Sequence, residues 1–599
     1  MDKRIMSGNE ALARGAFEGG VRVASAYPGT PSTEILEYIA ESYKSHIYCE
    51  WAPNEKVAAE VVSGSSMAGA RSICAQKHVG LNVAADPLFS IAYIGAKGSL
   101  VFIVADDPGC HSSQNEQDCR HFGRAAKIPV IEPSDSQECK DFMIEALDLS
   151  EKLDTPVLLR TTTRVAHSTG IVTLGERVEH PVKGYERNIR RNVVIPAHAR
   201  LMHIEVEKRL KTLAEMGATS PLNRIEEGPD KSVGFITSGI SYQYIKELLP
   251  NACILKLGLT WPLPEKLVRD FAARVGRVIV VEENEPFLEN EIKALGIACE
   301  GRKYFPAVNE FNANIVAKGL KEAGVFKADF PTPRAISVKA KIPGRPPTLC
   351  PGCPHRGVFY TLRKLDVNVT GDIGCYTLGM MPPLSALHTC QNMGASISHA
   401  YGLEKAVGPE ISKKTVAVIG DSTFLHSGIT GLMNAVYNKS NITVMILDNR
   451  ITAMTGHQQN PGTGHTLMGE TATEVDLVAL CKSIGVQNIA TVDPLDAKAM
   501  LAALQSALAT EGVSVLITKA PCALIIREKR DVYEVDPDVC VACGTCLKVG
   551  CVAISKTGEP HPKTRRLRSK IDPVLCVGCG FCAQVCPVSA IRKAPKEVK

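Results

Sequence analysis

TVAVIGDSTFLHSG at 415–428 and ITVMILDNRITAMTGHQ at 442–458 decide the fold of this part of the chain. Each is an apolar, largely β-branched run that breaks into polar residues at its carboxyl end, as a buried parallel strand does. Asp421 ends the first and Asn449 the second. If the two strands are neighbours, both side-chain oxygens lie at one sheet edge. A hard cation there would see a carboxylate, an amide, a nearby backbone carbonyl and phosphate oxygens, which makes an octahedral oxygen set. Gly420 would let backbone approach a diphosphate, and a helix starting after Ser427-Gly428 would aim its N-terminus at that group. The alternative is two ordinary strand ends closed by turn-forming Asp and Asn.

Working outward, the same strand–helix alternation fills most of the chain, so the fold class is multidomain α/β with parallel sheets. Residues 1–164 hold VRVASA, a Pro/Gly turn and a helix starting near Ser32, then SLVFIVADDPG and TPVLLRTTTR as strands. NEKVAAEVVSGSSMAGAR between them has the period of a helix. Residues 165–231 are polar and charged and read as a connector with one amphipathic helix, HARLMHIEVEKRLKTLAEMG. Residues 232–340 carry the strands SVGFITSG, ACILKLG and RVIVVEE, a smaller α/β domain. The quoted stretch belongs to a third α/β block at 345–527, entered through the linker-like KAKIPGRPPT, and a cysteine-rich tail fills 531–599.

Composition agrees with several packed cores. At roughly 100–200 residues per domain, 599 residues predict about three to five domains. Hydrophobic residues at 45% and charged residues at 22% exclude disorder as the main theme. A net charge of +5 falls well short of a nucleic-acid-binding footprint. The first twenty residues have no apolar stretch of signal-peptide type, and no apolar run is long enough to span a bilayer, so the chain reads as cytoplasmic with no membrane role. In a reducing compartment 21 cysteines point to metal or catalysis rather than disulfides.

Eight of those cysteines form two runs in the tail. Cys576, Cys579, Cys582 and Cys586-Pro587 have the C-x2-C-x2-C-x3-C-P spacing of bacterial ferredoxins; Cys540, Cys543, Cys546 and Cys551 differ by one spacer residue and lack the proline. Two [4Fe–4S] clusters follow, with the fourth cysteine of each run crossing over. One takes Cys540, Cys543, Cys546 and Cys586, and the other Cys576, Cys579, Cys582 and Cys551. Zinc would favour separated CxxC pairs instead. The basic insert KTRRLRSK at 563–570 reads as a solvated loop, or as a guide for an acidic electron acceptor. A second group is less specific. Cys350 and Cys353 form a CxxC on a Gly/Pro loop, which reads as a redox pair, half a zinc site, half a cluster site or a tight turn. Cys375 and Cys522 taken alone read as small buried residues.

The pair GD…DN resembles the magnesium–diphosphate motif of thiamine diphosphate enzymes. With SAYPGTPSTE (25–34), CPGCPHR (350–356), GDIGCYTLG (371–379), QNMGASISHAYG (391–402) and the fused tail, the whole chain resembles the 2-oxoacid:ferredoxin oxidoreductases. Within that superfamily it looks most like the alpha (large) subunits that act on indolepyruvate. The resemblance implies two thiamine-diphosphate-binding-type domains, pyrimidine-binding at 1–164 and diphosphate-binding at 345–527. It also implies a transketolase-C-terminal-like domain at 232–340 and a two-cluster ferredoxin-like α+β tail.

It further implies residue roles. Glu55, opening the helix after WAPN, is the match to the glutamate that activates the cofactor's aminopyrimidine, with Glu50 and Glu60 as competitors. Thr30 sits where relatives contact the substrate, and Arg120 (or Arg124) is the expected cationic partner. Asp421, Asn449 and the carbonyl of Ile451 would hold Mg²⁺, with Gly420 and Thr455 at the diphosphate. Cys350, Cys353, Cys375 and Cys522 occupy the positions of a third [4Fe–4S] cluster beside thiamine. The implied reaction is oxidative decarboxylation of an arylpyruvate to the acyl-CoA, with ferredoxin as electron acceptor and coenzyme A as co-substrate. A small beta subunit in an α₂β₂ assembly is the implied partner. A pyruvate or 2-oxoglutarate enzyme, and an electron-transfer subunit without catalysis, are the competing readings.

Overall fold

The computed structural model describes residues 2–327, 344–528 and 530–595. The chain divides into two compact units. One comprises Met1–Ser337 with Leu467–Gly469; the other comprises Val338–Thr466 with Glu470–Lys599.

The first unit is built on a seven-stranded sheet in the order Leu259–Trp261, Val130–Ile131, Val157–Thr162, Leu100–Asp106, Ser72–Lys77, Val23–Ala26 and Tyr48–Trp51. Only the first pair is antiparallel. All seven residues of the central strand Leu100–Asp106 are buried, because helices cover both faces and give two separate apolar cores. A second sheet joins Val278–Val281, Gly234–Thr237, Cys253–Lys256 and Arg224–Glu226, the last running antiparallel.

Several expected boundaries shift. Thr169–Thr173, inside the expected connector, pairs antiparallel with Lys3–Ser7, so the N-terminal fold runs past 164. Arg224–Glu226 leaves the connector for the second sheet, and Leu259–Trp261 crosses from the third segment to edge the first sheet. Between them Pro196–Gly217 is a helix, where the amphipathic pattern puts it. The boundary at 340 lies outside the described residues.

The second unit holds an all-parallel five-stranded sheet in the order Asn368–Thr370, Thr415–Gly420, Thr443–Asp448, Ser514–Lys519, Asn488–Val492. The two strands quoted first are neighbours, with Gly420 opposite Leu447, so both end at one edge. The helix does not begin after Gly428. It begins at Asp421 itself, passes through one π-turn at Phe424–Gly428 and continues as Ile429–Tyr437. Its first backbone N–H groups therefore sit at the strand end, eight residues earlier than a start at Ile429, after the Ser-Gly pair. The tail is two small hairpin-like pairs, Tyr533–Val535 with Ile591–Lys593 and Ile554–Pro560 with Leu567–Ile571. The second half of the basic insert is thus a strand rather than loop. No described helix is long and apolar enough to cross a membrane.

Candidate active site

In the second unit Asp421 is nearly fully buried, and its Oδ2 has no hydrogen-bond partner. Burial, then the neighbouring Asp448 carboxylate, push Asp421 up to about 7. Asn449 has two amide orientations with opposite consequences. In one, its nitrogen donates to Ile451 O at 2.7 Å and to Asp421 Oδ1 at 3.2 Å. In the other, its oxygen accepts the Ile451 N–H at 3.3 Å and three oxygens then converge with no proton between them. Adjacent ligands of an octahedral Mg²⁺ stand about 3.0 Å apart, from Mg–O bonds of ~2.1 Å. The second orientation is therefore the one a cation selects, and Asp421, Asn449 and Ile451 fit the group. The first helical turn is held to the following loop by Thr452, whose hydroxyl donates to Ser422 Oγ at 2.9 Å.

Gly420 and Thr455, expected at the diphosphate, each have a close neighbour within this unit. A Cβ on Gly420 would meet Tyr376 Cε1 at 2.7 Å, so glycine here makes room for an aromatic ring. The Thr455 hydroxyl donates to Gln458 Oε1 at 2.5 Å, which ties it into its own loop. Asp372 is a residue that pattern reading missed. Its carboxylate accepts the backbone N–H groups of Gly394 and Ser396 at 2.8 and 3.0 Å and so anchors the QNMGAS loop. The only signal for it is the Gly-Asp pair at 371–372, a second copy of the Gly-Asp at 420–421.

The cysteines gather into three sets within this same unit. Cys546 feels the thiols of Cys540, Cys543 and Cys586, and Cys582 feels those of Cys579, Cys551 and Cys576 and, least, that of Cys546. Cys375 is coupled in the same way to Cys522 and Cys350, and Cys353 to Cys375 and Cys350. Among the described residues no three His, Cys, Asp or Glu side chains are placed to hold a single metal ion. The Cys551, Cys576, Cys579 and Cys582 set instead lines an apolar cavity with Val577 and Phe581. A cubane cluster fits a cradle of that kind. Backbone N–H groups point at sulfur at two ligands, Tyr533 N to Cys576 Sγ at 3.5 Å and Ala590 N to Cys586 Sγ at 3.3 Å.

In the first unit Glu55 is the first residue of the helix Glu55–Met67, whose Asn54 cap accepts the Val57 N–H at 2.9 Å. Glu55 is buried, and Gly80 packs so close that a Cβ there would meet its Oε1 at 2.6 Å. The competitors are engaged elsewhere. Glu60 is exposed and paired with Lys56; Glu50 accepts from Ser25 and Tyr48 hydroxyls at 3.0 and 2.8 Å. Thr30 is half-buried in the turn before the helix Thr33–Ser42, and its carbonyl accepts the Ser112 hydroxyl at 3.1 Å.

Arg120 does not serve the role expected of it. It is 1% exposed, and its guanidinium donates to Asp118 (2.6–3.1 Å), to Glu282 at 2.7 Å and to the carbonyls of Glu283 and Glu285. Its plane also lies over Phe287. Its guanidinium is committed to buried carboxylates and carbonyls of two sheets, so it ties the first sheet to the second rather than facing a substrate. Arg124 is ion-paired with Glu291 at 2.9 Å. The cation that does reach the strand ends is Lys77, which closes Ser72–Lys77. Its stem packs on Gly29 of the YPGTP turn and its Nζ donates to Ser112 O at 2.8 Å. Burial lowers its pKa against the pull of Asp107 and Glu55. His78 beside it is fully buried with Nδ1 unpartnered. The sequence signal was there, since KH follows the apolar SICAQ directly, but that run was not read as a strand.

Known proteins match in the same places. The family "Pyruvate flavodoxin/ferredoxin oxidoreductase, thiamine diP-bdg" matches residues 14–207 and "Thiamine pyrophosphate enzyme, C-terminal TPP binding domain" matches 372–518. "4Fe-4S binding domain" matches 569–592. The indolepyruvate oxidoreductase subunit IorA of Archaeoglobus fulgidus is 42% identical over 93% of this chain and 93% of its own length. That of Pyrococcus horikoshii is 40% identical over 99% of this chain and 97% of its own. The chain belongs to the IorA subunit family. The 2-oxoglutarate synthase subunit KorA of Archaeoglobus fulgidus is a more distant relative, 26% identical over 51% of this chain. The similarity to these two IorA subunits extends over 93–99% of this chain.

Proposed function

We propose that this chain is the large subunit of an indolepyruvate:ferredoxin oxidoreductase. An arylpyruvate and coenzyme A give the aryl-acetyl-CoA, CO₂ and a proton, and two oxidised ferredoxins each take one electron. The observation that carries the reading is the oxygen triad of Asp421, Asn449 and Ile451 in one compact unit with three cysteine sets, in a chain 40–42% identical to IorA subunits. When bound, thiamine diphosphate supplies a nucleophilic carbon for the keto group and a sink for the electrons left by CO₂.

The chain's own residues do the rest. Asp421, Asn449 and the Ile451 carbonyl hold the Mg²⁺ that neutralises the diphosphate. Glu55, kept from water by Gly80, hydrogen-bonds the aminopyrimidine ring and raises the basicity of its amino group. Lys77, rather than Arg120, faces the substrate carboxylate, and Thr30 lines the same turn. Cys350, Cys353, Cys375 and Cys522 hold the cluster nearest the diphosphate edge, because Cys522 N–H donates to the carbonyl of Asn449 at 2.9 Å. The two tail clusters carry electrons onward. A small beta subunit completes an α₂β₂ assembly in the cytoplasm.

The test is anaerobic purification with the partner subunit and quantitation of iron, sulfide and thiamine per chain. About twelve irons are expected, four for each cluster, with one thiamine diphosphate. Eight irons would remove the Cys350 set from the proposal. Iron-loaded enzyme that takes up no thiamine diphosphate with Mg²⁺ would leave only an electron carrier.

A further inference from the structure

Arg356, the last residue of CPGCPHR, is almost fully buried, yet among the described residues no carboxylate pairs with it. Its guanidinium donates instead to main-chain carbonyls on two distant segments. Nε donates to Cys350 O at 3.0 Å and Nη2 to Leu349 O, on the loop of the first cysteine set. Nη1 donates to Val549 O at 3.4 Å and to Gly550 O, the residue before Cys551 of the tail. The sulfurs of Cys551, Cys353, Cys350 and Cys579 act on its charge, so two ligands of each cysteine set surround one cation.

The backbone around it is shaped for this closeness. Gly352, at φ +67°, lies where a Cβ would meet Val577 Cγ2 at 2.2 Å. Gly550, at φ +70°, leaves its Cα facing Arg356 Nη1, 3.3 Å from where a Cβ would be. Cys353 and Arg356 line the same cavity as Cys551, Cys576, Cys579 and Cys582. Burying an arginine without a carboxylate partner is costly. Two clusters ligated by thiolates carry net negative charge and supply the missing counter-charge.

We infer that Arg356 is the positioning residue that joins the Cys350/Cys353 loop to the tail cradle of Cys551, Cys576, Cys579 and Cys582, and that its charge stabilises the reduced state of both clusters. The fork fixes the distance between the two cradles. The cation favours the added electron on either side of it, which makes this tail cluster the first stop after the Cys350 set. The largest sulfur influences on Arg356 come from the Cys350 set and from Cys551 and Cys579, and not from Cys540, Cys543, Cys546 or Cys586. The inference rests on the proposed function above.

The experiment is a redox titration of the intact complex followed by EPR, comparing wild type with Arg356→Gln and Arg356→Lys. In Arg356→Gln the reduced-to-oxidised ratio of the two adjacent clusters at fixed potential should fall about tenfold, which is 59 mV for a one-electron couple. The cluster of Cys540, Cys543, Cys546 and Cys586 should move less than threefold. Arg356→Lys keeps a charge but loses the fork, so an intermediate fall of about threefold is expected, and this variant decides the matter should Arg356→Gln fail to load iron. Wild-type titration in the variants, or an equal shift of all three clusters, overturns the inference. Absence of cluster signals from the wild-type complex would instead overturn the functional reading beneath it.

Discussion

Asp421→Asn should make the metal-free protein more stable while abolishing cofactor binding. The carboxyl is held at about 7 in the fold, against an ordinary 3.8 in the unfolded chain. Burial is the main cause, and Asp448 adds to it. Between those two pH values the folded state holds a proton that the unfolded state has lost, so stability falls as pH rises. Above about pH 7 both states are ionised and the cost is constant. At 1.36 kcal/mol per pH unit its ceiling is about 4 kcal/mol. Asparagine removes the charge at nearly the same volume, so the variant should recover a large part of that ceiling at pH 8 and almost none of it at pH 4.

A multidomain chain need not unfold in one transition, so global denaturation is a poor readout. Hydrogen exchange of peptides covering 415–428 and 443–449, in enzyme that keeps its clusters but has been stripped of Mg²⁺ and thiamine diphosphate, reports the local free energy directly. The expected result is slower exchange in Asp421→Asn than in wild type at pH 8, by one to two orders of magnitude or more at ~1.4 kcal/mol per tenfold. Adding Mg²⁺ and thiamine diphosphate should protect wild type and leave the variant unchanged. Equal or faster exchange in the variant at pH 8 would refute the idea that Asp421 is an uncompensated charge waiting for a cation.

Three further outcomes follow from the other sites. Glu55→Gln should lower kcat by about 10²–10⁴-fold with iron content unchanged, measured by acyl-CoA formation beside iron assay. Lys77→Met should raise KM for the arylpyruvate by roughly 10–100-fold, the worth of a charged hydrogen bond of about 1.5–3 kcal/mol; an unchanged KM would return the carboxylate to another cation. Arg120→Met should destabilise the first unit by about 3–5 kcal/mol, because it strands buried Asp118 and Glu282. Residual soluble Arg120→Met enzyme should keep its substrate KM, which steady-state kinetics would show.

What the sequence made legible was local. Strand ends at Asp421 and Asn449, the helix opened by Glu55, and the crossing of Cys551 and Cys586 between tail runs all follow from spacing along a few dozen residues. Consistent with that crossing, Cys586 acts on Cys546 and Cys551 acts on Cys582, although Cys546 also reaches Cys582 across the two sets. What spacing could not reach was the partner on a distant segment. Nothing near Gly420 announces that Tyr376 fills its Cβ space, and nothing in NEQDCRHFGR announces that Glu282, 162 residues on, takes one arm of Arg120. Lys77 was lost for a different reason. SICAQ has no alternation, its strand is buried on both faces, and such a short apolar run carries no periodic signal.

Two of the buried charges that the chain's pattern put forward therefore separate on one criterion. Arg120 and Asp421 are both nearly inaccessible, and burial alone would rank them together as functional candidates. Arg120 has two carboxylates and two carbonyls as acceptors, so its charge is compensated within the protein and removing it leaves others stranded. Asp421 has an orphaned oxygen, a like charge beside it and a converging amide and carbonyl, and hydrogen bonds from Ser422 and Asn460 do not outweigh its burial, so its charge is left largely uncompensated. A protein retains a charge in that condition at a standing cost of stability, and the cost is recovered only when a cation arrives. By the same criterion Arg356 belongs with Asp421. Its carbonyl partners satisfy its N–H groups but not its positive charge, and the groups that would do so are the two clusters on either side of it.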